Sequence, residues 1–326
     1  MFTPGSELSP LALDAAMRGC LADSLAHIHS AAAEAMDVLD EAYVGCLSAI
    51  NTHRVSPGLF GRYYDVVFAL QQRRYGRAGE LFQEITALAK EEPSFHSVRF
   101  DQEALGADKE RYARLIGLES GTAAALTSPH RDAWLNFNAN LAAAMQLIEE
   151  ADPALAAELR GLVIQVVAVG SNSRNGGQGF SGASSLMLWG AVFLNAERHR
   201  SRLDMLGGLV HEVAHQILFG LSIDEPLAEN PISERYGSPL RTDARPMDGI
   251  FHATFVCARI HYAYGRLRDA TKSSLEDPER RLVEQRMAYY RQKFFDGLET
   301  VERFGRLSAN GLRTMRAAAE YMQSVN

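Results

Sequence analysis

The spacing of apolar positions divides the chain into helical and strand-like stretches. Through residues 11–21 and 24–50, apolar residues recur every three or four positions with few breakers, the repeat of helices that bury one face. Pro57 and Gly58 interrupt this repeat. Residues 59–72 resume it with Phe60, Tyr63, Tyr64, Val67 and Phe68, which read as helix–helix core. Another helix is predicted over 77–91, ending near Pro93. Ser128 and Pro129 read as the cap and first turn of a helix over 133–150, and Asp152-Pro153 opens a short one ending near Gly161.

The pattern then changes. Leu162-Val163-Ile164-Gln165-Val166-Val167-Ala168-Val169 is short, β-branched and apolar, a buried strand. Residues 170–182 are rich in Gly, Ser and Asn and read as a flexible loop. Within it, Gly176-Gly177-Gln178-Gly179 lacks the Lys-Ser/Thr of a phosphate loop. A second strand is predicted over 186–194. Helices follow over 202–219, 250–269, 277–304 and 307–324, with an irregular stretch over 220–249 that holds Pro226, Pro231, Pro239 and Pro246. The expected class is mainly α, of α+β type. A helical N-terminal region (1–160) would pack on a helical catalytic region with a few short strands (161–326), the two forming one continuous domain or two.

One helix is not plain core. His211-Glu212-Val213-Ala214-His215 interrupts an apolar run over 209–219. Histidines at i and i+4 lie about 40° apart on a helix, so both imidazoles reach one metal ion. Glu212, about 100° round from His211, is an acid/base or supporting group rather than a third ligand. HExxH arises by chance in roughly one chain in fifty of this length, so context has to carry the reading. The context is the cost of burying three polar groups unpartnered in an apolar helix.

A catalytic metal normally takes a third protein ligand. The downstream candidates are Asp224, Glu225, Glu229, Glu234, Asp243 and His252. Leu221 stands where the metzincin pattern needs histidine. His252, early on a predicted helix, has the more rigid platform, and His261 lies on the opposite face of that helix. Arg241 and Arg245 offer bidentate forks to an anionic ligand such as a dicarboxylate, or pair with Asp243 and Asp248. Ser184 and Ser185, in the run Ser181-Gly182-Ala183-Ser184-Ser185, could add hydroxyls to that anion or merely form a turn.

Composition narrows the class. The chain has 326 residues, 47% hydrophobic and 22% charged, with a net charge of −7. That is ordinary for a globular protein and wrong for a non-specific nucleic-acid binder. No apolar run has the length of a bilayer span, and the N-terminus lacks the pattern of a secretory signal. Cys20, Cys46 and Cys257 are scattered without CxxC spacing, which predicts reduced thiols in a cytoplasmic protein.

In this order along the chain, several segments resemble the HExxH-motif peptide-modification proteins, found beside ribosomally made peptide precursors. They are Val55-Ser56-Pro57-Gly58-Leu59-Phe60-Gly61-Arg62-Tyr63-Tyr64, Ala183-Ser184-Ser185 before a strand carrying Gly190, the motif itself, and Arg241-Thr242-Asp243-Ala244-Arg245-Pro246 leading to Gly249-Ile250-Phe251-His252. The resemblance implies an iron(II)- and 2-oxoglutarate-dependent hydroxylase without the usual jelly-roll fold, acting with O2 at the β-carbon of a peptide residue. It implies that His211, His215 and His252 bind iron, with a carboxylate, Glu212 included, as the alternative third ligand. It implies that Arg245, or secondly Arg241, pairs with the distal carboxylate of 2-oxoglutarate. The sequence departs from the family pattern at Leu240, where Trp is common, at Ala244, where Pro is expected, and at Ala253, where Gly is usual.

The expected activity is therefore oxidation of an unactivated C–H bond in a peptide or amino-acid substrate, without nucleic-acid or membrane partners and with homodimerisation left open. Two rivals stand beside it: a zinc metallopeptidase with Glu212 as general base, and a non-catalytic helical binding module.

Overall fold

The structure is a computed structural model that describes residues 9–38, 40–120, 126–171, 180–270 and 274–325. The segment Gly176-Gly177-Gln178-Gly179 lies outside the described residues. The protein is mainly helical, with twelve α-helices and a small mixed sheet among the described residues, and it is not a jelly roll. The chain divides into two compact units: a sheet unit of residues 10–134 and 160–197, and a helical unit of residues 1–9, 135–159 and 198–326. The strands after residue 160 belong with the N-terminal helices.

The sheet unit holds α1 (Pro10–Met36), α2 (Asp40–Thr52), α3 (Pro57–Gln71), α4 (Tyr75–Leu88), α5 (Gln102–Leu105) and α6 (Asp108–Ser120). Its strands are β1 (His96–Arg99), β2 (Leu126–Thr127), β3 (Gln165–Ser171), β4 (Gly182–Ser184) and β5 (Ala191–Asn195). The order is β1-β3-β5-β4, with β1, β3 and β5 parallel, β4 antiparallel to β5, and β2 antiparallel to β3. Parallel central strands are covered on both faces, which is why β3 and β5 are apolar throughout their centres. Val98, Tyr112, Leu115, Val167 and Phe193 meet in one core cluster. The expected strand over 186–194 is in fact a 3-10 turn (Leu186–Leu188) followed by β5. The break falls at Gly190, whose φ of 87° suits glycine. Ser128 does not cap a helix. Its hydroxyl donates to the Phe100 carbonyl at 2.6 Å, and the next helix starts at Arg131.

The helical unit holds most of α7 (Arg131–Ala151) and α8 (Pro153–Leu162), then α9 (Arg202–Leu221), α10 (Met247–Asp269), α11 (Asp277–Phe304) and α12 (Ala309–Ser324). Helix α10 is its axis, buried at 15 positions and packed on α9, α11 and α12. Arg259 of α10 and Glu158 of α8 form a buried ion pair, with side chains 1% and 7% exposed. Burial pushes the Glu158 carboxyl above its ordinary range, against the pull of Arg259. Removing one partner strands the other charge. Arg259→Met is therefore expected to cost about 3–5 kcal/mol in urea unfolding, and Glu158→Leu combined with it should recover most of that loss. Equal losses in the single and double variants would contradict the pairing.

Candidate metal centre

Ser201 starts α9: its hydroxyl oxygen accepts from the Asp204 N–H at 3.1 Å and donates to the Asp204 carboxylate at 2.7 Å. The body of α9 is buried through Leu203, Leu206, Leu209, Val210, Val213, Ile217 and Leu218. Its partly exposed positions from the second turn onward are Gly207, Gly208, His211, His215, Phe219 and Ser222. They lie on one side of the helix, where His211, His215 and Phe219, at four-residue spacing, form a part-exposed stripe, while Gly207 and Gly208 are covered by neighbouring side chains. Helix α10 approaches at Gly207, where an added Cβ would lie 2.4 Å from the Tyr264 hydroxyl. That hydroxyl is fixed, donating to the Leu203 carbonyl at 3.0 Å and accepting from Arg286 at 2.7 Å.

The two motif histidines meet on the part-exposed stripe with their Nε2 atoms 3.3 Å apart and their rings tilted by 57°. Two nitrogens that share one metal at about 2.1 Å stand roughly 3.0–3.4 Å apart. Loss of water around the rings holds His211 and His215 down to about 3, and the neighbouring imidazoles and Arg241 push the same way. Both rings are therefore neutral near pH 7, the state a metal ligand needs. Donor type, spacing and protonation suit this pair to two of the ligands of a metal ion.

His252 sits in the second turn of α10 and reaches the same place, but on the other side of the His215 ring. Its Nδ1 lies 3.0 Å from Nδ1 of His215, whereas His215 faces His211 through Nε2. Burial holds His252 down to about 4. Phe219 closes the group, its ring centroid 6.4 Å from His215 and 5.9 Å from His252. The three imidazoles thus form a chain with His215 in the middle, and among the described residues no three His, Cys, Asp or Glu side chains are grouped as one metal ion would require. His261, on the opposite face of α10, meets the Tyr321 hydroxyl at 2.9 Å instead.

The remaining sequence candidates divide clearly. Glu212 is 4% exposed and faces the buried side of α9. Arg241 is exposed, yet its charge reaches both His211 and His215. It is placed by a local turn in which Ser238 Oγ accepts from the Leu240 and Arg241 N–H groups, while Pro239 is buried beside Gly297 of α11. Arg245 pairs with Asp243 at 2.7 Å, and its backbone bridges to Tyr236 in both directions. Ser184 and Ser185 belong to the sheet unit. Ser184 pairs with Val192 in the β4–β5 ladder, and Ser185 caps the 3-10 turn by accepting from the Met187 N–H at 3.1 Å. Of the carboxylates considered as third ligands, Glu225 accepts from the Asn310 N–H, Glu234 takes Tyr236 and Arg306, and Asp243 takes Arg245.

The structure adds one histidine that sequence reasoning missed. His199 is 5% exposed, and a proton on its ring would disfavour one on His211. A Cβ at Gly208 would fall 2.2 Å from its Nε2, so the ring lies directly on the helix backbone one turn before His211. The sequence matches no protein-family model and no curated protein.

Gly208→Ala should therefore displace the His199 ring and cost about 1–3 kcal/mol, measured by chemical denaturation of the metal-free protein. Gly19→Ala in α1, where an added Cβ meets nothing within 4 Å, should instead be neutral or stabilise by about 0.5–1 kcal/mol. A neutral or stabilising Gly208→Ala would show that the packing at Gly208 is not tight.

Proposed function

We propose that the chain is an iron(II)- and 2-oxoglutarate-dependent oxygenase that hydroxylates an unactivated C–H bond, in a residue of a ribosomally made peptide or in a related amino acid. The observation that carries this reading is the pair of neutral imidazoles, Nε2 atoms 3.3 Å apart, on the part-exposed stripe of a buried helix. The choice of oxidation over hydrolysis is supported by the ordered resemblance and by the arginine segment beside the histidines.

His211 and His215 hold the metal through Nε2, and protons do not compete for these atoms near neutral pH. When bound, iron supplies the activation of O2 coupled to oxidative decarboxylation of 2-oxoglutarate. Arg241 is the first choice for the distal carboxylate of that cosubstrate, because its charge already reaches the metal pair. Arg245, held by Asp243, is the second. Phe219 lines the stripe beside His215 and excludes water from that side. Glu212 serves the site from within the helix core, by supporting the ligands rather than by joining them.

Anaerobic loading with iron(II), then addition of 2-oxoglutarate, should produce a visible charge-transfer band, and admission of O2 should release succinate. His211→Ala and His215→Ala should each abolish both signals. Arg241→Met should weaken 2-oxoglutarate binding about 10–100-fold, the loss of a charge-assisted contact, with a smaller effect from Arg245→Met. Iron-loaded protein that neither binds nor consumes 2-oxoglutarate would sink the proposal. Oxygen-independent peptide cleavage by zinc-loaded protein, lost in Glu212→Gln, would replace it with a metallopeptidase.

A further inference from the structure

The contact between His215 and His252 constrains where protons sit on the two rings. Their Nδ1 atoms are 3.0 Å apart. A neutral imidazole carries one N–H and one lone pair. Two lone pairs at that distance repel, and two N–H groups collide, so one Nδ1 donates and the other accepts. A metal on His215 needs the Nε2 lone pair, which puts the His215 proton on Nδ1. His252 Nδ1 must then accept, and its own proton lies on Nε2, the atom nearest the Asp248 carboxylate at 3.7 Å.

We propose that His252 is a positioning residue, accepting a hydrogen bond from Nδ1–H of His215 and thereby holding the Nε2 lone pair of His215 toward the metal. This rests on the metal-binding reading of the His211–His215 pair. The two nitrogens of one imidazole point to different edges of the ring, so a group seated at Nδ1 of His215 cannot share an ion at Nε2 unless its ring swings away. His252 is restrained from doing so. It stands on α10, its side chain is 14% exposed, and Phe219 packs against both its ring and that of His215. Metal-bound histidines commonly have their second nitrogen held in this way, and loss of the holding group costs metal affinity without removing a ligand.

The test uses the full chain with cobalt(II) as the probe, followed by visible absorption and equilibrium titration. Wild type should bind one cobalt per chain, and His215→Ala should bind none. His252→Ala should keep the stoichiometry and the shape of the cobalt ligand-field bands but lose about 10–100-fold in affinity. His252→Asn, whose amide oxygen can accept the same hydrogen bond, should regain most of that loss. Metal-free melting of each variant separates loss of affinity from loss of fold. A changed band shape in both variants would make His252 a ligand and overturn the inference, as would an unaltered affinity in His252→Ala or no rescue by asparagine. Wild type that binds no cobalt would overturn the metal reading itself.

Discussion

Beyond its first turn, helix α9 is buried except along one side, and the histidines on that side lie within contact of one another and of His252. His211 and His215 meet through Nε2, and His215 and His252 through Nδ1. Charging any of the three would place a cation among apolar neighbours and beside other imidazoles, with Arg241 near two of them. The rings therefore stay neutral. Each neutral ring keeps one nitrogen lone pair free of a proton, which is the state that the metal-binding proposal requires. The function proposed for the chain depends on this constraint.

The rest of the helical unit keeps these rings in register. Tyr264 bonds to the Leu203 carbonyl over Gly207, which fixes α9 against the helix that carries His252. The irregular stretch between α9 and α10 is stapled to the α11–α12 corner: Glu229 N–H donates to the Arg306 carbonyl, Ser308 N–H to the Leu227 carbonyl, and Arg306 N–H to the Asn230 side chain. These staples engage Glu225 and Glu234 as structural acceptors. The segment that presents Arg241 is therefore a defined loop, and two carboxylates with ligand-like spacing in the sequence have other partners.

Much of the fold was legible because its elements carry strong local signals. Helix α11, expected over about 277–304, runs over Asp277–Phe304. Strand β3 was read from its β-branched run. Strand β1 was not, because His96-Ser97-Val98-Arg99 has neither alternation nor an apolar run and forms only by pairing with β3. Strand β4 was read as loop for the same reason: three small residues take their structure from β5. At the site, helical spacing alone brought His211 and His215 together. The orientation of His252 was not legible, since which ring nitrogen faces a neighbour is set by rotamer and packing. His199 stands in a charged run with no spacing to the motif. Its one trace was Gly207-Gly208 within a helix, a mark of close approach by other groups.

Anomalous diffraction at the iron edge, from crystals grown anaerobically with iron(II), would locate the metal directly. A single peak is expected about 2.1 Å from Nε2 of both His211 and His215, on the edge of the His215 ring away from His252. A peak between His215 Nδ1 and His252, or none at the histidines, would contradict the arrangement of roles derived from this row of rings.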